Sequence, residues 1–231
     1  MKWLGVLLAL VLGLYGLYLY NFPSYSHRYR LTVEIEADGK LHTGSGVVNV
    51  TWISQPFPDV PFRAHVEGRA PLVDLGEHGV ILAALKNNVR SVGFKPIPLD
   101  AETLALEAFF GKQIRSERKV PRSVEPYIAI TDAVGQRELS EQYYPPFIWL
   151  AVPRDRGSAE PMMARDFSRK IDPSVKIRSV TVEMTSDPFD DNLFEKLPWL
   201  EAAYIDERAN GILSNAQVFK LYAYHLTGDR Q

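Results

Sequence analysis

The chain contains no cysteine. That excludes disulfides, thiolate metal centres, iron–sulfur clusters, a cysteine nucleophile and a lipid-modified N-terminal cysteine, while leaving the redox compartment open. An excess of one charge is missing as well: 26 Lys and Arg face 28 Asp and Glu, a formal net charge of −2. A nucleic-acid surface calls for a strongly basic domain, so no nucleic-acid partner is expected. The sequence also lacks a Walker loop, a GxGxxG opening a helix, and the kinase motif set, which disfavours nucleotide binding. No cofactor is expected. Internal repeats and low-complexity tracts are absent.

One stretch of the chain lacks charge altogether. From Trp3 to Tyr20 it reads WLGVLLALVLGLYGLYLY behind a single Lys2. As a helix rising 1.5 Å per residue, this run is roughly 27 Å long, near the hydrocarbon thickness of a bilayer. Trp3 at one end and Tyr15, Tyr18 and Tyr20 at the other suit the two headgroup levels. A cleaved secretory signal usually has a shorter apolar core followed by Ala-x-Ala. Here Ser24-Tyr25-Ser26 is the nearest substitute, so a retained transmembrane anchor over residues 1–26 is expected. Lys2 precedes the run and Arg28 and Arg30 follow it, which nearly balances the positive-inside rule. The export-like start favours an extracytoplasmic body. Gly5, Ala9 and Gly13 recur every four residues, a small-residue stripe of the kind that lets two membrane helices associate.

Behind the anchor, residues 27–231 are enough for one sizeable domain, with a soft division near residue 120. In Tyr29–Glu36, Leu31, Val33 and Ile35 alternate with polar residues, which predicts a half-buried strand. Asp38-Gly39 signals a hairpin turn. The return strand runs from Leu41 to Ile53 with Val48, Val50 and Trp52 on one face, and Gly44 and Gly46 mark a bulge or a close backbone approach. The proline loop 55–61 leads into a second hairpin, Phe62–Leu75 and Val80–Leu85, completing a four-strand antiparallel meander. Asp100 as N-cap and Gly111 as C′ bracket a helix over Ala101–Phe110. Strands are expected at 127–134, 147–152, 177–185 and 217–226, and a short helix within 188–200 is broken at Pro198. The fold class is α+β, predominantly antiparallel sheet with a few short helices, preceded by one N-terminal transmembrane helix.

Val66–Lys86 (VEGRAPLVDLGEHGVILAALK) and the pieces VTVEMTSDPF and EKLPWL between Val180 and Leu200 resemble an uncharacterised family of bacterial membrane-anchored proteins. The resemblance implies an intact bacterial domain behind an anchor. It implies no activity.

Several constellations compete for a functional role. Asp187, Asp190, Asp191 and Glu195 concentrate carboxylates that suit Ca²⁺ or Mg²⁺, yet their spacing is not that of an EF-hand and helix capping explains them as well. The histidines, His27, His42, His65, His78 and His225, show neither HxxxH nor HExxH spacing. His27 and His78 are expected to be solvated. His42 and His65 lie on strands that could bring them together with Asp74 or Glu67. Ser45 between Gly44 and Gly46 does not fit a nucleophile elbow, which sits on a strand-to-helix turn. Lys112, Arg115, Arg118, Lys119 and Arg122 form a basic patch able to meet anionic headgroups. Phe57, Tyr143, Tyr144, Tyr222 and Tyr224 are candidate aromatics for a protein-binding surface.

These features favour a non-catalytic, membrane-tethered envelope module that binds another protein or helps assemble a complex. It would be single-pass in the bacterial inner membrane with a periplasmic body. Its partners would be the lipid bilayer and another envelope protein or a second copy of itself. The alternatives are a hydrolase-type enzyme with a His/carboxylate site between the sheet and residues 187–195, and an anionic-lipid binder through residues 112–122.

Overall fold

The computed structural model describes residues 2–57, 61–86, 99–114, 124–189, 192–203 and 226. The apolar run forms helix α1 (Lys2–Asn21). From Trp3 to Leu17 every large hydrophobic side chain is at least 53 % exposed. A Cβ added at Gly5 or Gly13 would meet nothing within 4 Å, so the small-residue stripe faces open space. Counted on the described side chains, no helix is long and apolar enough to cross a membrane, and the expected spanning segment is to that extent unsupported.

Only Phe22 and Pro23 separate α1 from β1 (Ser24–Ala37), which begins inside the stretch 1–26 assigned to the anchor. It pairs with β2 (Lys40–Ser54) in unbroken register from Ser24 opposite Ile53 to Ala37 opposite Lys40. Asp38 (φ 53°) and Gly39 (φ 73°) fill the two-residue turn. Positive φ at both positions is what a type I′ hairpin needs, and Asp-Gly supplies it at little steric cost. Tyr29, Leu31, Val33 and Ile35 are buried to within 1 % on one face of β1, as are Val48, Val50 and Trp52 to within 2 % on β2. Each such aliphatic side chain contributes about 1.5–3 kcal/mol by leaving water.

The remaining elements are β3 (Phe62–Gly68), β4 (Leu72–Asp74), β5 (Val80–Ala83), α2 (Ala101–Ile114), α3 (Glu125–Thr131), β6 (Gln136–Glu138), β7 (Phe147–Leu150), β8 (Ala159–Met162), α4 (Phe167–Lys170), β9 (Lys176–Met184) and α5 (Asn192–Lys196). They build two sheets, β3-β2-β1-β9-β6 and β4-β5-β7-β8, with every pairing antiparallel. The protein is thus an α+β fold dominated by antiparallel sheet. One hydrophobic core joins both sheets with α2, α3 and α5. Each sheet draws strands from both sides of residue 120.

Three local expectations change, and one open alternative is decided. The stretch Phe62–Leu75 is two strands in different sheets, because Pro71 has no N–H to continue a ladder and the chain crosses over at Arg69–Pro71. Gly44 and Gly46 mark no bulge. They mark the close approach that was the other option, since a Cβ at Gly44 would strike the Leu72 carbonyl and one at Gly46 the Arg69 carbonyl. Residues 127–134 begin as helix rather than strand. Pro126 sits in the first turn of α3, and Tyr127 and Ile130, three apart, are both fully buried while Ile128 is exposed. Helix α2 runs on past Gly111 through a kink at Phe110 (φ −132°) instead of ending there. The strand expected at 217–226 falls outside the described residues except for Leu226, whose carbonyl accepts the Ala70 N–H at 2.7 Å.

Candidate functional site

Three turns meet at the end of the body farthest along β1 from α1. The β1–β2 turn brings Asp38, the turn between β4 and β5 brings His78, and the turn before β9 brings Asp172 and Ser174. Each turn is fixed locally. Asp74 accepts the Gly76 N–H at 3.0 Å, Gly76 and Gly79 take φ of 64° and 82°, and Trp149 Nε1 donates to the His78 carbonyl at 2.7 Å. Asp172 Oδ1 accepts the Ser174 N–H at 2.8 Å.

Across the turns, His78 Nε2 lies 2.9 Å from Asp38 Oδ2, and Ser174 Oγ donates to Asp38 Oδ1 at 2.9 Å. One donor atom from each of Asp38, His78 and Asp172 lies within 4.8 Å of the others. The hydrogen bond from His78, and next that from Ser174, hold the Asp38 carboxyl below its usual range. Asp172 is lowered chiefly by the Ser174 backbone N–H and then by its hydroxyl. Asp38 is exposed, whereas His78 and Asp172 are half-buried.

The order of the chain Ser174–Asp38–His78 limits its chemistry. The hydroxyl is bonded to the carboxylate, not to the imidazole, so His78 is not placed to take its proton as the base of a nucleophilic triad does. Two oxygens and an imidazole nitrogen are nevertheless donors that a divalent ion accepts. These three residues are the described ones that could hold a metal together. Their bonds to each other and to Ser174 already satisfy much of their polarity.

No family model, curated protein or solved structure matches this chain. The resemblance of Val66–Lys86 and Val180–Leu200 to membrane-anchored bacterial proteins therefore rests on those residues alone.

The other candidates are dispersed. His42 and His65 do not converge. His42 Nδ1 contacts the Asp74 carbonyl at 2.7 Å at one end of β2, whereas His65 pairs with Glu67 at 3.5 Å near the other. His27 is not solvated: it is 5 % exposed, stacked 6.2 Å from Tyr29, and neither ring nitrogen has a hydrogen-bond partner among the described residues. Burial alone pushes its imidazole down to about 4. Nor is His78 simply solvated, given its bond to Asp38.

Asp187 pairs with Arg30 at 2.6 Å, and that guanidinium, ahead of Thr185, lowers its carboxyl. Glu195 is exposed on α5, while Asp190 and Asp191 lie outside the described residues. So do Arg115, Arg118, Lys119 and Arg122 of the basic patch; Lys112 is described only as a turn of α2.

Among the described residues, two depressions bear on these alternatives. One, of about 200 Å³, lies between β2 and α5, where the hydrolase alternative would put its site. Its described lining offers the hydroxyls of Thr43 and Ser45 and the cations of Arg69 and Lys196, with no imidazole or carboxylate. The other, of about 400 Å³, is lined by Ser140, Glu141, Gln142, Tyr144, Pro145, Met163, Ala164 and Arg165, beside the end of edge strand β8. Tyr144 was singled out from sequence as a surface aromatic. It is 9 % exposed and packs edge-on against Phe147 at 6.5 Å, so most of its ring serves the core. The sequence missed the three-turn cluster because its members lie far apart in the chain. Asp-Gly and the glycines around Glu77-His78 located the turns, but nothing in the spacing said that they meet.

Proposed function

We propose that the chain is a membrane-tethered module: α1 lodges in lipid as a single-pass anchor, and the α+β body acts in binding or assembly rather than catalysis. The observation that carries this reading is the state of α1. A helix that is apolar all round is at home only inside a protein core or a bilayer. No side of this one is covered: its large side chains from Trp3 to Leu17 are at least 53 % exposed. Soluble monomers rarely expose contiguous apolar patches beyond a few hundred Å². The full backbone of 20 residues rises about 30 Å, the hydrocarbon thickness.

Full-length protein expressed in a bacterium should sediment with membranes and resist extraction by alkaline carbonate. A reporter at the C-terminus that is active only after export reads the side of the body, and a periplasmic body is expected. Recovery of the intact chain in the soluble fraction would overturn the reading.

A further inference from the structure

A helix lodged in lipid fixes the height of whatever is bonded to its end. Phe22 still donates its N–H to the Tyr18 carbonyl at 2.9 Å, and the Pro23 carbonyl accepts the Ser54 N–H at 3.2 Å. Two residues later Ser24 is already paired with Ile53. The end of β2 and the start of the proline loop are thereby held against the end of α1, with no slack for the body to drift away. The headgroup layer on each side of the hydrocarbon core is about 5–8 Å thick, no more than a strand spacing or two.

This end of the body carries apolar side chains turned outward. Ile53 is 38 % exposed and Phe57, beyond it in the loop, 62 %. On the core side of the sheet, Tyr127 of α3 packs on Trp52 at 4.7 Å and on Phe62 at 4.3 Å, and its neighbour Ile128 points out, 44 % exposed. Exposed Arg63 lies opposite Ile53 in register. Aromatic, aliphatic and arginine side chains together match the chemistry of the lipid interface. At the opposite end, the turns carry Asp38, Glu77 and Asp172.

We propose that the α1-proximal end of the body is itself seated in the headgroup layer, with Phe57 and Ile53 dipping toward the acyl chains and Arg63 against the phosphates. The body stands on the bilayer instead of hanging from a tether. This rests on the reading of α1 as lodged in lipid.

The absence of native cysteine makes single-site labelling direct. Phe57→Cys, Leu12→Cys in α1 and Leu41→Cys at the far hairpin are each spin-labelled on the full-length chain in vesicles of phosphatidylethanolamine and phosphatidylglycerol. Collision with oxygen, which partitions into lipid, is compared with collision with a water-soluble nickel chelate. The label at position 12 should be deep, that at 41 aqueous, and that at 57 intermediate, with severalfold less contact with the chelate than at 41. A label at 57 as accessible to the chelate as that at 41, while position 12 is deep, would overturn the seating and leave the anchor standing. An aqueous position 12 would remove both. Urea midpoints equal to the parent's show that each labelled chain is folded.

Discussion

His27 gives the sharpest test of how this core is built. It faces inward from β1 opposite Val50, 5 % exposed, without a hydrogen-bond partner among the described residues on either nitrogen. Burial lowers its imidazole from 6.5 to about 4. Above pH 6.5 the ring is neutral in both folded and unfolded chains, and this titration costs nothing. As the pH falls toward 4, the unfolded chain takes up a proton that the folded one refuses, and stability drops by about 1.4 kcal/mol per pH unit. Over some 2.5 units the loss is about 3.4 kcal/mol, with no further loss below the folded value. In His27→Phe the ring shape is roughly kept and the proton site is gone. At neutral pH two opposing effects set the offset. Relief of two unbonded nitrogens is worth about 1–3 kcal/mol, and slight overpacking costs a similar amount. The diagnostic quantity is therefore the slope. Urea unfolding of the detergent-solubilised full chain, followed by tryptophan fluorescence from about pH 7.5 to about pH 3.5, should show the variant gaining on the parent by about 3.4 kcal/mol as the pH falls. Other titrating groups are common to both proteins and cancel in the difference. Parallel curves for parent and variant would refute the reasoning.

Gly46→Ala should destabilise the body by about 1–3 kcal/mol, because the new methyl meets the Arg69 carbonyl and the Pro71 nitrogen; Gly5→Ala, with nothing within 4 Å, should leave the urea midpoint unchanged. Tyr127→Ala removes a ring packed on both Trp52 and Phe62, and should cost about 3–5 kcal/mol in the same assay, with a red shift of tryptophan emission. Asp38 has a folded carboxyl held below the unfolded value, so its contribution is complete above the ordinary carboxylate range and fades as the pH falls through the folded value. Asp38→Asn, which still tolerates the left-handed turn, should be less stable than the parent at pH 7, and the gap should narrow on acidification. A gap that stays constant with pH would exclude the His78 and Ser174 bonds as its source.

The parts of this fold written in local pattern were legible. Period-two alternation placed β1, β2 and β9, and Asp38-Gly39 placed their hairpin. Phe147–Leu150, apolar throughout, was readable as a buried strand. What failed was decided by groups far apart in the chain. The apolar run Tyr127–Ile130 reads as a strand or a helix turn in isolation, and Pro126 with the surface of Trp52 and Phe62 chose the helix. β6 (Gln136–Glu138) is exposed throughout and exists through its backbone pairing with β9, so it leaves no apolar signature. β8 contains Pro161 and survives as an edge strand, where a missing N–H is tolerated. The site showed the same limit. His78 reads as a loop residue until the hairpin tip and the Asp172 turn are folded against it, and His27 gives no hint in its neighbours that its ring is dry.

The central position of β1 bears on how the chain is made. Tyr29 pairs with Met184, so one side of β1 stays without its mate until the chain has been synthesised through β9. During that interval a long row of amide and carbonyl groups stands open next to an apolar helix. Such delayed, non-local pairing is slow and prone to mispairing. Biogenesis of this protein therefore depends on keeping that strand apart from other chains until its last partner arrives.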